Sequence, residues 1–401
     1  MTTRTVRNGL IGAAVSAALT VAALAAPAQA ETARGHGHAA TQRAMDAQVA
    51  AGAPGSLGQA RDEHGTWNGA AGVADLRTER PRKAADRFRI GSITKAFVST
   101  VLLQLEAEGE LDLDDTVEHW LPGVVQGNGN DGSKITVRQL LNHTSGIFNY
   151  TTDPAMVHEL TDGFLKHRYD TSTPERLVSI AMSHKPDFKP GTAWNYSNTN
   201  YILAGMIVAK VTGHSYATEI ERRIIEPLGL RATSLPGTSA RMPNPHGRAY
   251  SPLTAEPNAK IHDVTELNPS WGGSAGEIIS TTGDLNRFYR ALIGGELLEP
   301  KQQKELLTTV AVDPANTSFR YGLGVAWAKL PCGKEIWLHD GGIHGSLSLA
   351  TATPDGRHTA AFNLNGDWAG EWGSVMEAEY CGKAPAPKPG SPLNKALATL
   401  R

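Results

Sequence analysis

Residues 91–109 read GSITKAFVSTVLLQLEAEG. Ile93, Phe97, Val98, Val101, Leu102 and Leu105 recur at helical spacing and Gly109 ends the run, which predicts a strong helix opening beside Ser92. Upstream, a helix over Gln42–Ala51 precedes a hairpin, Ser56–Arg61 and Thr66–Val73, that turns at Glu63-His64-Gly65. Downstream the chain is mainly helical. Thr136-Val137-Arg138-Gln139 reads as a capping box, Thr173 as an N-cap with Pro174 at the first helical position, and Tyr201–Val211 as an apolar helix ended by Gly213. Ser215 caps a further helix carrying Ile220, Ile224 and Ile225. From Tyr321 the pattern changes to strands: Gly322–Ala328, Glu335–Leu338, Ser346–Thr353, a Pro354-Asp355-Gly356 turn, and Arg357–Leu364. A last helix spans Glu371–Tyr380.

Strands at both ends with helices between predict an α/β (α+β) fold: an antiparallel sheet built from both chain ends, flanked by helices, with a mainly helical insert. On this reading 41–95 and 265–383 form the sheet domain and 96–264 the insert. Residues 31–40, with His36 and His38, are a flexible lead-in, and 384–401 a linker or processed propeptide tail.

The 401 residues are 40% hydrophobic and 19% charged with a formal net charge of −2, enough to bury a large core and without the basic excess of a nucleic-acid binder. Met1–Ala30 has the three parts of an export signal: Arg4 and Arg7, an apolar run from Gly9 to Ala26, and Ala28-Gln29-Ala30 at the cleavage position. Beyond it no apolar stretch is long enough to span a bilayer, so the expected protein is secreted by the general route with no stable membrane anchor. Cys332 and Cys381 are the only cysteines. In an exported chain they suggest one disulfide, the alternative being two free thiols, and their spacing offers no metal cluster.

Ser92 and Lys95 stand at i and i+3, so their side chains share one helix face and the ammonium can reach the hydroxyl. A serine at a helix start also presents its own N–H, a donor suited to an oxyanion. Roughly 100 residues on, Tyr196-Ser197-Asn198 precedes the apolar helix. A phenol placed against Lys95 has its pKa lowered by the charge and can relay the Ser92 proton, while Asn198 can hold an acyl amide. His339-Asp340-Gly341 follows the Ile336–Leu338 strand, where a glycine edge admits a substrate backbone and the Gly342 N–H can be a second oxyanion donor.

S-x-x-K, Y-x-N and H-x-G in this order resemble the signature of the penicillin-recognising serine hydrolases, the class C β-lactamase-like family. The likeness extends to Arg87–Ser92, Leu140–Gly146, Tyr196–Tyr201, Ser274-Ala275-Gly276 before Ile279-Ser280-Thr281, and the placement of Cys332 and Cys381. It is strongest to secreted actinobacterial D-alanyl-D-alanine carboxypeptidases, alongside class C β-lactamases and related esterases. The resemblance implies Ser92 as acylated nucleophile, Lys95 holding its hydroxyl, Tyr196 as base and acid, Asn198 on the acyl side, and His339 in place of the K-T-G lysine. Trp271 and Ile147-Phe148-Asn149-Tyr150 would line the cleft, with Ser92, Gly342, Asp340 and Gly341 around the oxyanion. No metal or organic cofactor is implied. The expected substrates are peptidoglycan stem peptides, other small peptides or esters, and β-lactams.

One departure bears on substrate. Such carboxypeptidases are similar in gripping a terminal carboxylate with hydroxyls around the H-x-G glycine and an arginine on the preceding strand. The matching positions here are Asp340, Gly342 and Ala326, with Trp327 beside the last and Lys329 on the other side of the strand. An acid there repels an anion, by several kcal/mol when desolvated. Acyl donors without a free carboxylate are then favoured: esters, peptide amides or internal D-peptide bonds. Two other readings compete. Gly272-Gly273-Ser274-Ala275-Gly276 matches a nucleophile elbow, with Asp284 or Asp340 and His344 or His358 downstream, though Pro269 disrupts the strand it would need. A non-catalytic binding protein on the same fold is the second. The sequons at Asn142, Asn149, Asn195 and Asn316 are read as coincidental.

Overall fold

The computed structural model describes residues 37–256, 258–383, 385 and 390–400. The stretch read as an export signal and most of the expected lead-in lie outside them. Eight antiparallel strands form the main sheet: β1 (Gly55–Asp62), β2 (Gly65–Gly72), β3 (Val310–Ala311), β4 (Phe319–Tyr321), β5 (Ala326–Lys329), β6 (Glu335–Ile343), β7 (Ser346–Ala352) and β8 (Thr359–Leu364). Their order is β2-β1-β8-β7-β6-β5-β4-β3, so the N-terminal hairpin closes directly on the last strand, Gly58 facing Phe362. The sheet is thus built from both chain ends, with helices between them in sequence.

Alternation gives each face its own cover. Leu338, Leu349 and Phe362 pack with Met45 of α1 (Ala39–Ala50) and with Val375 and Met376 of α5 (Gly373–Cys381). Ala350 and Ala361, one residue along, face Leu285, Phe288 and Leu292 of α4 (Thr282–Ile293). Small alanines on that face let α4 approach, and Phe288 then stacks on Phe97 of α2 (Thr94–Ala107) at 3.7 Å between ring centroids. Each large side chain buried this way contributes about 2–3 kcal/mol. The helix α2 is more deeply placed than its stripe predicts: every residue from Thr94 to Leu103 is buried. Its polar members are satisfied inside, with Ser99 Oγ 3.0 Å from the Tyr201 hydroxyl and Thr100 Oγ1 donating to the Ala96 carbonyl.

Several expected boundaries shift for identifiable reasons. The expected strand Gly322–Ala328 is a turn as far as Val325. Gly324 has φ +79°, and a Cβ there would lie 2.5 Å from Ser99 Oγ, so the chain folds tightly over α2 before β5 begins. Strand β6 runs on past Leu338 to Ile343, because Gly341 and Gly342 continue the ladder with Ser348 and Leu347. The capping box at Thr136 and the Thr173–Pro174 start form as expected. Cys332 and Cys381 are bonded, closing a separation of 49 residues.

Both proposed flexible ends are corrected where they are described. In the 384–401 segment, Pro392–Ala398 is helix α6, and Leu397 and Leu400 are buried in the same core as α5. In the lead-in, His38 is buried against the Trp67 ring (5.0 Å) and its Nδ1 bonds Glu379 Oε2 at 3.0 Å. Glu379, on α5, also accepts from Thr41 Oγ1 (2.8 Å) and meets His358 Nε2 (2.7 Å), whose ring lies against Tyr380. The periodicity of a short polar lead-in carries no sign of such long-range bonds. Despite burial, the two histidines hold the Glu379 carboxyl down at about 2, while the Glu379 bond raises the His38 pKa, with Asp62 at 3.7 Å adding to the rise. Glu379 therefore contributes stability above its ordinary 4.5 that is lost as pH falls toward 2. His38 contributes below its ordinary 6.5, and its share is lost as pH rises through its folded value. Glu379→Ala should cost about 3 kcal/mol in urea unfolding at pH 5.5 and less at pH 8.5. An equal loss at both would show that the histidine contacts carry none of it.

Candidate active site

Ser92 sits in a 3-10 turn, Gly91–Ile93, that leads into α2. Strand β6 crosses this turn so closely that a Cβ on Gly341 would lie 1.9 Å from the Ile90 carbonyl oxygen and 3.0 Å from Ser92 N. A Cβ on Gly91, itself at φ +53°, would lie 2.8 Å from Gly342 N. Only glycine admits that approach. It sets the Gly341–Gly342 stretch of β6 directly against the Gly91–Ser92 turn.

Lys95 is fully buried one turn on, and its Nζ has three partners: Ser92 Oγ at 3.0 Å, Asn198 Oδ1 at 2.8 Å and the Ala275 carbonyl at 2.7 Å. The last two can only accept, so two N–H bonds are committed to them. The remaining position on nitrogen faces the Ser92 oxygen, as an N–H in the ammonium or as the lone pair in the amine. Burial pushes the Lys95 pKa well below its ordinary value, and the charge of Asp340 opposes that.

Asn198 begins α3 (Asn198–Thr212), and the loop before it is clamped by residues 143–151. Asn149 Oδ1 accepts from Asn198 N (3.1 Å), Thr151 Oγ1 accepts from Asn198 Nδ2 (3.3 Å), and the Phe148 carbonyl accepts from Thr199 Oγ1 (2.7 Å). His143 Nδ1 accepts from Ser197 N and from Asn200 Nδ2, both at 3.2 Å, which places its proton on Nε2. Its ring packs 4.3 Å from that of Tyr196. The hold of His143 and Asn149 on the Tyr196–Asn198 loop has no separate signal in the sequence, because it joins positions about 50 residues apart.

Tyr196 is buried with Lys95 Nζ 4.8 Å from its ring centroid, so these groups do come together. The expected lowering of its phenol is overturned. Burial pushes the pKa well above the ordinary 10, the Ser92 hydroxyl pulls it back, and Asp340 adds to the rise. Among the described residues nothing closes a hydrogen bond of good geometry with this phenol. It rests as a neutral donor.

His339 is fully buried, its Nε2 2.9 Å from the Tyr321 hydroxyl and its Nδ1 2.5 Å from the Asp340 carbonyl. Burial, with Lys95 nearby, pushes it down to about 3, so the imidazole carries no positive charge. Asp340 is also fully buried and acts electrostatically on Lys95 and Tyr196 rather than standing open in the cleft. Ala326 is buried across from Leu338, and Trp327 pairs with Trp337. Of the expected cleft wall, Phe148 and Trp271 are half-buried, Phe148 stacking on His184 at 3.9 Å and Trp271 edge-on to His344 at 5.6 Å. Ile147 and Tyr150 are core residues instead, the Tyr150 hydroxyl donating to the Trp271 carbonyl.

The nucleophile-elbow reading fails. Ser274 lies buried in a short helix and donates to the Tyr201 carbonyl at 2.8 Å. Its would-be partners are occupied elsewhere: Asp284 by Ala232 N and Thr233, His344 by the Leu160 carbonyl, His358 by Glu379.

The family model described as Beta-lactamase matches residues 25–370. The chain belongs to the beta-lactamase family. Its members are serine hydrolases, and this chain has their mixed fold with a large antiparallel sheet flanked by helices. The structure is similar to that of a D-stereospecific amidohydrolase from a Streptomyces species, with 57% identity and a TM-score of 0.83 over 86% of this chain and 99% of that one. It is also similar to a D-amino acid amidase from Ochrobactrum anthropi SV3 solved with L-phenylalanine amide, at 27% identity and a TM-score of 0.72 over 90% and 97% of the two chains. By sequence it is 27% identical to a penicillin-binding protein of Bacillus subtilis over 73% of this chain and 64% of that one. It is 34% identical to an esterase of Burkholderia gladioli over 61% and 72%. The chain thus spans less than two thirds of that Bacillus relative's length. No helix among the described residues is long and apolar enough to cross a membrane.

Proposed function

We propose that this chain is an exported hydrolase that cleaves amide and ester bonds on the carbonyl side of a D-amino acid, through an acyl-Ser92 intermediate, where no free carboxylate follows the scissile bond. The observation that carries the substrate class is the lack of a cation on the strand beside β6: Ala326, at the position where a carboxypeptidase would present an arginine, is buried and apolar, and Asp340 adds negative charge from beneath the site. The 57% identical relative, named a D-stereospecific amidohydrolase, supports the same class. Release of terminal D-alanine from peptidoglycan stem peptides, the role implied by the sequence resemblance, is the lesser activity on this reading. β-Lactams are cyclic amides and would acylate the same serine.

The chemistry follows from the proton positions. The Lys95 amine, its two N–H bonds spent on Asn198 and Ala275, turns its lone pair to the Ser92 hydroxyl and removes the proton as oxygen attacks the carbonyl. The Ser92 and Gly342 amides receive the oxyanion. The neutral Tyr196 phenol gives its proton to the leaving amine and recovers one from the Lys95 ammonium. Water then repeats the sequence on the acyl-enzyme. His143 and Asn149 hold the loop that carries Tyr196 and Asn198.

The test of stereochemistry is ammonia release from D- and L-phenylalanine amide. The D-enantiomer should turn over with a kcat/KM about 100-fold higher or more. Equal rates would remove the D-selective reading and leave a general amidase.

A further inference from the structure

Away from the active site, a cavity of about 20 Å³ lies beside the Phe88–Arg89 strand. Arg82, Arg87, Arg89 and Arg248 all line it, and no aspartate or glutamate is among its lining residues. Two of the arginines are answered by neighbours. Arg248 pairs with Asp263 at 2.6 Å and Asp75 at 3.5 Å, and Arg87 donates to the Asn244 carbonyl. The other two are buried and incompletely met. Arg82 donates to Asn363 Oδ1 at 2.7 Å, but its nearest carboxylate, Asp86, is 3.9 Å away and already takes the Arg80 guanidinium at 3.2 Å. Arg89 spends one nitrogen on the Ala240 and Leu267 carbonyls. Glu277 reaches Arg89 only through space while accepting from Tyr216.

Arg82 Nε and Arg89 Nε and Nη1 are buried and close no hydrogen bond with the described residues. Each such donor left dry costs about 1–3 kcal/mol, more for a charged group. Burial presses both guanidiniums down to about 10, so nearby negative charge does not offset their desolvation.

We infer that this cavity is a binding site for one small inorganic anion of the size and charge of chloride or bromide, held between Arg82 and Arg89. The space open to the centre of a water-sized sphere is only about 20 Å³, which favours a monatomic ion over a larger polyatomic one. The lining supplies donors and positive charge without an acid to repel the ion. The site also touches the catalytic architecture. The Arg89 carbonyl accepts from Ser346 Oγ at 2.7 Å and Ser348 Oγ at 3.3 Å, and Arg89 stands three residues before Ser92. A filled site steadies the strand that delivers the nucleophile.

The experiment is thermal unfolding of the whole protein in sodium chloride, sodium bromide and sodium gluconate at equal ionic strength, with a bromide-soaked crystal measured for anomalous scattering. Chloride and bromide should raise Tm by about 2 °C or more over gluconate, and the rise should saturate. Arg89→Met, which keeps most of the stem, should abolish that increment. An anomalous peak should lie between Arg82 and Arg89, a readout that survives even if the variant does not fold. Identical Tm in the three salts with no peak would mean that the cavity holds a single water, and would overturn the inference.

Discussion

Ser92→Ala lowers kcat on a D-aminoacyl amide by about 10⁴-fold or more while changing unfolding stability by less than about 1 kcal/mol. The asymmetry follows from the geometry. The hydroxyl is the only side-chain group Ser92 brings, and the Lys95 Nζ it meets keeps Asn198 and Ala275 when the hydroxyl is gone. The turn itself is set by Gly91 and by the passage of β6, neither of which involves the serine side chain. Mass spectrometry after a short incubation with a D-aminoacyl ester should find the acyl group on the wild type and none on the variant. An acylated Ser92→Ala protein would place the nucleophile elsewhere.

Lys95 gives the second large effect, and its variants separate charge from basicity. Lys95→Met should lower kcat by about 10³–10⁴-fold, since it removes the group that takes the serine proton and leaves the Asn198 and Ala275 oxygens unmet in a dry site. Lys95→Arg keeps a cation but cannot give it up at any working pH, so it should be equally inactive. The wild-type kcat/KM should climb with pH as Lys95 loses its proton, reaching a plateau well below the ordinary lysine value of 10.5, because burial disfavours the ammonium. Stability has the same sign: the unfolded chain binds the proton more tightly, so this residue's contribution grows as pH rises toward 10.5. Retained activity in Lys95→Arg would mean that positive charge, not proton acceptance, is what the site needs.

The architecture was legible because its signals are local. Hairpin turns, the Thr136 capping box and the apolar run of α2 each depend on residues close in sequence, and the sheet's assembly from both ends follows from where the strands fall. The Ser92–Lys95 contact was legible for the same reason, at one helical turn. What escaped depends on burial, which no spacing reveals. Nothing local says that Tyr196 lies in a site dry enough to raise its phenol against the pull of a neighbouring lysine, or that His339 is stripped of charge. Asp340 looked like an open acid in the cleft because its burial is set by strands far away in the chain. The lead-in and the tail looked flexible because His38–Glu379 and the α6 contacts join positions hundreds of residues or several elements apart.

The most direct measurement is leaving-group release from two matched peptides, one ending in D-Ala-D-Ala and the other in its amide, with Ser92→Ala as control. The amide should be cleaved faster, and cleavage of both should vanish in the variant. Faster cleavage of the carboxylate-ended peptide would contradict the account, because it would require a cation that the buried, apolar Ala326 cannot supply and that the negative charge of buried Asp340 works against.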